Sequence, residues 1–388
     1  MNVRSNIWKL NVGYFLTELM FFIPIWVPFL SGMGFSMEDI FILEALFAAV
    51  MVVMEIPSGY FADIYGRSTS LAVGAVFSFA GFVYFALFVG FVPFLIGQIL
   101  LGIGMSFISG AQEALIYDSL IEMKEEDKYR KIQGNMFFYS RMAATISNFT
   151  GSILATISMR LPFYVAVVPF FFLMLINFTL VEPKIHKSKV EKLAHFKAIL
   201  KESFVNNKAL RSILFYGGFL LSFTLMTFWL YQKYMSYIDL PILYYGFVIA
   251  AANIVSGLGS KFAKEIEDKI GVGFSLIAIP ISLILTWLLF FFFKSQYMLI
   301  FIVIASFFWG YLLVVVQNVI QNLVASNKRA TVLSIRSMIT RLSFVIFSPV
   351  LGVLTDKFNV SVAFLAPIII VFVVGGISVF ALKRNRVF

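Results

Sequence analysis

Residues 272–293 read VGFSLIAIPISLILTWLLFFFF, and no charged side chain interrupts them. An α-helix of this length rises about 33 Å, enough to cross the roughly 30 Å hydrocarbon core of a bilayer. Similar apolar runs recur along the whole chain and predict an all-α membrane protein with twelve membrane-spanning helices. We place the spans at about 8–30, 38–61, 69–91, 94–118, 134–157, 161–181, 212–235, 242–263, 272–293, 297–323, 331–354 and 361–382.

The composition argues against a soluble protein. Hydrophobic residues make up 61% of the chain and charged residues only 13%, whereas soluble domains carry about 25% charged residues. The net charge is +10, but the basic residues lie in short loops between apolar runs, so we expect a lipid bilayer and no nucleic acid as partner. The chain has no cysteine, and His186 and His195 share one hydrophilic segment, so we expect no metal and no cofactor.

The distribution of basic residues predicts the orientation of the chain. Of its 30 lysines and arginines, four lie in loops on one side of the predicted spans (Arg160, Lys233, Lys294, Lys357), and three lie within spans (Arg141, Arg336, Arg341). The remaining basic residues lie on the side that carries both termini. Because basic residues accumulate in cytoplasmic loops, we predict a multi-pass protein of the plasma or inner membrane with both termini in the cytoplasm.

The chain divides at a hydrophilic segment after six spans. We predict an N-terminal six-helix half at 1–181, a cytoplasmic linker at 182–211 and a C-terminal six-helix half at 212–388. Within the linker, apolar residues at helical spacing among lysines predict an interfacial amphipathic helix; a regulatory or partner site is the alternative. These residues are Leu193, Phe196, Ile199, Leu200 and Phe204.

A weak internal sequence repeat supports the prediction of two pseudo-symmetric halves. Gln112-Glu113 is followed by Arg130 and Arg141, and Gln317-Asn318 is followed by Arg329 and Arg341. Related halves are common in secondary transporters, which bind substrate between the halves near the membrane midplane.

Charged residues inside the spans are the strongest candidates for function, because each costs roughly 2.5–3.5 kcal/mol at a helix centre. Glu18 lies near the middle of the first span and has no lysine or arginine within a helical turn or two. We expect it to bind a proton or a cationic substrate. The alternative is a protonated carboxyl group that is hydrogen-bonded within the packing.

Glu113 and Arg141 lie on consecutive spans at equal distances from the intervening turn, which predicts an ion pair at one depth. The pair would be either a coupling element that protonation or substrate opens or a permanent structural link. Arg341 has no acidic residue at the matching place on span ten, so it is a candidate for attracting an anionic group. Glu44 is a further candidate near the outer surface, and Arg336 is expected to extend towards the cytoplasm.

Polar and aromatic residues at cavity depth complete the set of candidates, although most phenylalanines are expected to contact lipid or other helices. The cavity candidates are Tyr14, Phe21, Gln112, Trp229, Trp309, Tyr311 and Gln317.

One cytoplasmic connection carries a recognisable motif, between the second and third spans. It reads Gly59-Tyr-Phe-Ala-Asp63-Ile-Tyr-Gly66-Arg67. This stretch resembles the signature loop of the major facilitator superfamily, in which a glycine is followed four positions later by aspartate and then by glycine-arginine. Ile64 and Ser68 stand where basic residues are usual in that loop. Further resemblance lies in Pro24 and Pro28, Glu55-Ile-Pro57-Ser-Gly59, Ser109-Gly-Ala-Gln-Glu-Ala-Leu-Ile-Tyr-Asp118 and Arg329-Ala-Thr-Val-Leu-Ser334.

The resemblance implies a major facilitator fold and a cytoplasmic gate. The motif residues Gly59, Asp63, Gly66 and Arg67, together with Asp118, would form a charge cluster that stabilises the outward-facing state. The alternative role of the motif is topology determination by Arg67 alone.

Within the superfamily, the chain looks most similar to the twelve-span drug–proton antiporter branch. That branch often carries Gly-Pro-x-x-Gly-Gly in span five. Here Asn148-Phe-Thr-Gly151 stands instead, and a Pro349-x-x-Gly352 lies in span eleven.

These observations predict a monomeric secondary transporter that moves a small molecule by alternating access. Our first hypothesis is proton-coupled export of amphipathic or cationic small molecules, with Glu18 as the proton or cation site and with Glu113 and Arg141 as coupling partners. The alternatives are proton-coupled uptake of a polar or anionic nutrient through Arg141 and Arg341, a lipid flippase or a receptor. An enzyme is not expected, because the sequence has no nucleophile–base set and no phosphate-cradling loop.

Overall fold

The computed structural model describes residues 3–184, 199–325, 328–385 and 387, and in these ranges the regular structure is helical. Two compact units divide the chain. Unit 1 comprises Met1–Phe35, Ile42–Ser188 and Pro241–Ala250, and unit 2 comprises Ser36–Phe41, Lys189–Leu240 and Ala251–Phe388, as far as these ranges are described.

Seven helices begin before the linker. They are α1 (Ser5–Thr17), α2 (Trp26–Gly32), α3 (Met37–Tyr65), α4 (Arg67–Leu87), α5 (Phe91–Met123), α6 (Tyr129–Ile157) and α7 (Leu161–Asn177). The helices after the linker are α8 (Lys208–Tyr237), α9 (Leu243–Lys261), α10 (Ala263–Ile270), α11 (Val272–Phe292), α12 (Leu299–Leu323), α13 (Arg329–Lys357), α14 (Val360–Ala363), α15 (Leu365–Ile370) and α16 (Gly376–Arg384). Short 3₁₀ helices are found at Ile23–Ile25, Glu126–Lys128 and Gln296–Met298, and π-helices at Glu202–Asn206 and Val371–Gly375.

The helices confirm the predicted all-α membrane fold. Among the described residues, nine helical segments are long and apolar enough to cross a membrane, and Ile23–Gly32 and Leu161–Asn177 are shorter apolar helices. The 29-residue α6 is also long enough, but it carries Arg141 and several polar side chains that lower its hydropathy.

The first predicted span is not one continuous helix. The α1 helix ends at Thr17, a short irregular segment follows, and helical structure resumes at the 3₁₀ turn Ile23–Ile25 before α2. Pro24 explains the break, because it has no amide hydrogen to donate to the carbonyl of Met20 and its ring crowds the preceding turn. Glu18 therefore stands at the end of a broken helix within the apolar run.

Aromatic side chains fill the core of unit 1 around α2. Phe22 stacks on Phe163 with ring centroids 4.9 Å apart, and Trp26 packs against Phe85 at 5.2 Å. These rings are buried, so the short α2 is held by α4 and α7.

The predicted amphipathic linker helix is described only in part. Leu193 and Phe196 lie outside the described residues, as do His186 and His195. Ile199–Lys201 are α-helical and lead into the π-helix Glu202–Asn206, and Ile199 is buried.

Candidate functional site

Glu18 forms an ion pair with Arg141 in unit 1. Arg141 Nη2 lies 3.1 Å from Glu18 Oε1, and the hydroxyl group of Ser140 donates a hydrogen bond of 3.0 Å to the same oxygen. Glu18 has no basic residue within a helical turn or two of its own span, and its partner Arg141 comes from α6.

Arg141 has a second neighbour on its own helix. Its guanidinium carbon lies 5.5 Å from the ring centroid of Phe137, one turn earlier, at a distance suited to a cation–π interaction. Its Nε atom is buried and has no hydrogen-bond partner. The guanidinium group is thus held between a carboxylate and an aromatic ring, with one donor unused.

The predicted ion pair between Glu113 and Arg141 is not formed among the described residues. The reason is the packing of α6, which contacts α1 more extensively than α5. Gly151 permits a close approach of α6 to the segment that follows α1, because a Cβ atom at position 151 would collide with the carbonyl oxygen of Phe21. The arginine therefore reaches the carboxylate on α1 instead of the one on α5.

About one third of each side chain of the pair is solvent-accessible, 33% for Glu18 and 35% for Arg141. Arg141 lies near the middle of the 29-residue α6. A charged pair at this depth would be unfavourable against hydrocarbon. The accessible side of this pair is therefore a candidate lining for a polar pathway.

Glu113 lies in a different environment, beside tyrosines. It is exposed on α5 and lies near Tyr14 of α1 and Tyr129 of α6. The ring of Tyr129 contacts that of Tyr117 edge to face at 5.3 Å. Gln112, the adjacent cavity candidate, is buried next to Gly13 of α1, so it belongs to a helix contact.

Glu44 also lies in a helix contact. Gln98 Nε2 donates a hydrogen bond of 3.0 Å to Glu44 Oε1 and joins α5 to α3. Glu44 could line the transport path or sit in a helix contact, and this hydrogen bond favours the helix contact.

The candidates in unit 2 are scattered. Trp229 and Tyr311 are buried, and the Tyr311 hydroxyl group lies 2.5 Å from Ser275 Oγ in a contact between α12 and α11. Trp309 is half-buried and Gln317 is exposed. Arg341 has a partner and is not a free cation.

The environment of the Arg336 side chain differs from the prediction that this side chain extends towards the cytoplasm. Its Nε and Nη1 atoms are buried without a hydrogen-bond partner, so this side of the guanidinium group does not extend into water.

The signature motif forms a network in unit 1. Arg67 pairs with Asp118 and also donates to the carbonyl of Ala114. The Glu182 carboxylate accepts hydrogen bonds from the backbone amides of Arg67 and Ser68, at 2.9 and 2.8 Å. It thereby caps the start of α4, where the helix dipole favours negative charge.

The two motif glycines have different roles. Gly66 adopts φ +101° between α3 and α4, and a Cβ atom there would lie 2.9 Å from the Glu182 carboxylate. Gly59 lies inside α3, and a Cβ atom there would meet nothing within 4 Å. A tight turn therefore requires glycine at position 66, whereas nothing in the described helix packing requires it at position 59. Asp63 has an interaction partner.

Sequence reasoning missed three side chains that orient the candidate residues. Ser140, Gln98 and Glu182 hydrogen-bond to Glu18, Glu44 and the start of α4, respectively. Ser140 directly precedes Arg141 in the sequence, and that adjacency was the available signal. Among the described residues, no group of three or more histidine, aspartate or glutamate side chains could hold a metal ion.

Solved structures with a similar fold are transporters. A mutant of the nucleoside transporter NupG matches with a TM-score of 0.81 and 12% identity, covering 99% of this chain and 100% of that chain. A bacterial homologue of the human lysosomal transporter Spinster, inward-facing and unoccupied, matches with a TM-score of 0.72 and 16% identity, covering 99% and 93%. At these identities the likeness establishes the fold alone.

Comparison by sequence establishes the family. No curated protein matches the chain. The family profile described as Major Facilitator Superfamily matches residues 10–296 and 245–387, which together span nearly all of the chain. The fold of two helical units, the motif network at Arg67 and this match lead to one conclusion: the chain belongs to the Major Facilitator Superfamily of membrane transporters.

Proposed function

We propose that this chain is a proton-coupled carrier that exports small amphipathic cations. The observation that carries the proposal is the position of the Arg141 guanidinium group, which lies between the Glu18 carboxylate and the Phe137 ring. An organic cation with an apolar body needs these same two groups, a carboxylate and an aromatic face. Arg141 therefore occupies a position that could bind the cationic group of such a substrate.

Exchange at Glu18 provides the coupling. In the first state Glu18 is ionised and paired with Arg141. A substrate cation displaces Arg141 and takes the carboxylate, and in another step a proton neutralises Glu18 and releases the cation. Because one carboxylate cannot hold a proton and a cation together, proton and substrate compete, and competition at one site is the basis of antiport.

The broken first span supports this role. Discontinuous helices in transporters commonly mark substrate sites, because unwound backbone is tolerated only where it is buried in protein or lines a cavity. Glu18 stands at the end of α1, followed by an irregular segment. A residue at a helix end can change its orientation with less disruption than one in the middle of a helix.

Glu113 supplies a second acidic group for a cation. It is exposed on α5 and lies near Tyr14 and Tyr129. Among the described residues it forms no ion pair. We assign it to an approach site where a cation rests against tyrosine rings before it reaches Glu18.

Proton-coupled uptake of a polar or anionic solute is the second candidate. It is favoured by Arg141 Nε, which is buried without an acceptor. A buried N–H group without a partner costs about 1–3 kcal/mol. A substrate carbonyl or carboxylate oxygen could satisfy it if Arg141 turned during transport.

The test is flux into proteoliposomes with an acidic interior, with the membrane potential clamped at zero by potassium and valinomycin. Tetraphenylphosphonium serves as the probe cation. We expect the wild-type protein to accumulate it in response to the pH gradient and Glu18→Gln to show no response. Glu126→Gln, which removes one exposed carboxylate from a loop, should behave as the wild type.

Two outcomes would overturn the proposal. Gradient-driven accumulation by Glu18→Gln at the wild-type rate would remove Glu18 from the mechanism. Failure of the wild type to move the cation, together with proton-driven uptake of an organic anion, would establish the second candidate instead.

A further inference from the structure

A cavity of about 510 Å³ lies in unit 2 between the start of α8 and the end of α16. None of its lining residues belongs to the candidate transport site. Lys208 and Arg211 line it from the first residues of α8, and Arg384 lines it from the last residue of α16. The cavity thus lies where two apolar helices reach the membrane surface.

The charged end of the cavity is wholly basic. Lys208, Arg211 and Arg384 are exposed, and no acidic side chain is among the described residues that line it. Arg211 Nη1 donates to the carbonyl of Phe204 at 3.1 Å, which leaves its other donors for a ligand. Three cations that have no acidic partner in the described part of the chain would repel one another, so this end of the cavity favours an anion such as a phosphate group.

The other end of the cavity is apolar and runs along the helices. Phe215 and Phe219 lie seven and eleven residues after Lys208, which places them about 10–16 Å deeper along α8. On the opposite wall, Ile377 is 65% exposed in a segment that belongs to a candidate membrane span. An apolar wall of this depth suits a hydrocarbon chain rather than a soluble metabolite.

The linker before α8 does not fit this cavity by charge. Between residues 184 and 201 it carries six lysines and one glutamate. A segment of this composition would add positive charge to a basic cavity, so the occupant must come from elsewhere.

We propose that this cavity binds an anionic phospholipid. The phosphate group contacts Lys208, Arg211 and Arg384, and one acyl chain lies along Phe215, Phe219 and Ile377. Basic pockets between membrane helices are suited to such headgroups. The basic bias of the loops predicts that this lipid comes from the cytoplasmic leaflet.

The test compares lipids on the purified full-length protein in detergent. Phosphatidylglycerol, phosphatidylcholine and water-soluble glycerol 1-phosphate are added separately. The thermal unfolding midpoint is measured for each, and native mass spectrometry measures the bound lipid. We expect phosphatidylglycerol to bind and raise the midpoint. The zwitterionic lipid and the soluble headgroup should have little effect.

Variants locate the site. Arg211→Gln with Arg384→Gln should weaken phosphatidylglycerol binding about thirtyfold, equivalent to about 2 kcal/mol. Ile377→Gln should weaken it through the acyl chain without changing the charge. The matched control is Arg130→Gln with Lys131→Gln, which removes two exposed charges from the start of α6 and should leave lipid binding unchanged.

Three results would overturn the proposal. Equal stabilisation by glycerol 1-phosphate would make the cavity a site for a soluble anion. Equal stabilisation by phosphatidylcholine would remove the role of the charge. Equal weakening by the α6 control would show diffuse attraction of anionic lipid rather than a site.

Discussion

The Glu18–Arg141 pair should contribute a measurable coupling energy to folding. At the observed separation of 3.1 Å, the Coulomb attraction is about 5 kcal/mol for an effective dielectric constant of about 20. Desolvation of both groups opposes it, and the one-third exposure of each side chain screens it further. We therefore expect a net coupling of about 1–3 kcal/mol, between the values for exposed and fully buried pairs.

A double-mutant cycle with Glu18→Gln and Arg141→Gln measures this coupling. Glutamine keeps an oxygen that accepts from the Ser140 hydroxyl group, so Glu18→Gln removes charge with little loss of hydrogen bonding. Each single variant leaves one charge without its partner and should be destabilised, whereas the double variant should lose less than the sum of the two. The free energy of unfolding is read by denaturation with sodium dodecyl sulfate in mixed micelles.

The pair between Lys128 and Glu125 gives a matched control. Its atoms are 3.1 Å apart, the same distance, but it lies in the connection between α5 and α6, where the Lys128 side chain is 52% accessible, so the coupling should be near the detection limit. Because Glu125 Oε1 also pairs with Arg4, this control cycle is measured in an Arg4→Gln background. If the Glu18–Arg141 cycle gave no more coupling than this control, the two side chains would not be paired in the folded protein. The exchange mechanism would then lose its basis.

Three further predictions concern packing, capping and titration. Gly151→Ala should destabilise unit 1 by about 1–3 kcal/mol through a clash with the Phe21 carbonyl. Gly134→Ala, at an open position in the same helix, should stabilise it by up to about 1 kcal/mol. Equal free energies of unfolding for the two variants would contradict the close approach at Gly151. Glu182→Ala should cost about 1–2 kcal/mol by uncapping α4, and the exposed Glu126→Ala should cost nothing measurable. Burial raises the pKa of the Glu267 carboxyl in α10 above its ordinary 4.5, although the hydrogen bond from Asn318 lowers it. The contribution of this group to folding stability is therefore lost as pH rises through that raised pKa. The melting temperature of Glu267→Gln should exceed that of the wild type at neutral pH and match it near pH 4. A constant difference in melting temperature at all pH values would refute the assignment.

Much of the fold could be predicted from local features of the sequence. Spanning helices follow from apolar runs, because the bilayer thickness fixes their length. The break after Glu18 was harder to predict, although Pro24 and Pro28 were visible, since proline is tolerated within some membrane helices. In α3, for example, Pro57 lies inside a continuous helix.

The pairing of charges could not be predicted in the same way. Counting residues from the turn placed Glu113 and Arg141 at one depth, but depth does not determine which helices pack together. The contact of α6 with the segment that follows α1 depends on Gly151, whose neighbour Phe21 is 130 residues away in the sequence. Ion pairs between residues so far apart in the sequence follow from the way the helices pack. A local sequence pattern in a single chain does not reveal that packing.

The motif near Arg67 contains one contact that could be predicted from the sequence and one that could not. The pairing of Arg67 with Asp118 joins two residues that the family resemblance had already grouped. The cap by Glu182 was missed, because this residue follows the sixth predicted span and lies more than a hundred residues from α4 in the sequence. Its signal would have been a lone carboxylate just after a span, and that pattern is common in loops.

The central claim is that a substrate cation and a proton compete for Glu18. The most direct measurement is the dissociation constant of tetraphenylphosphonium for the purified carrier as a function of pH. We predict that wild-type binding weakens as pH falls, by at most about tenfold per pH unit, the limit for competition with a single proton, and that Glu18→Gln binds weakly at every pH. The same pH dependence in Glu18→Gln as in the wild type would contradict the account.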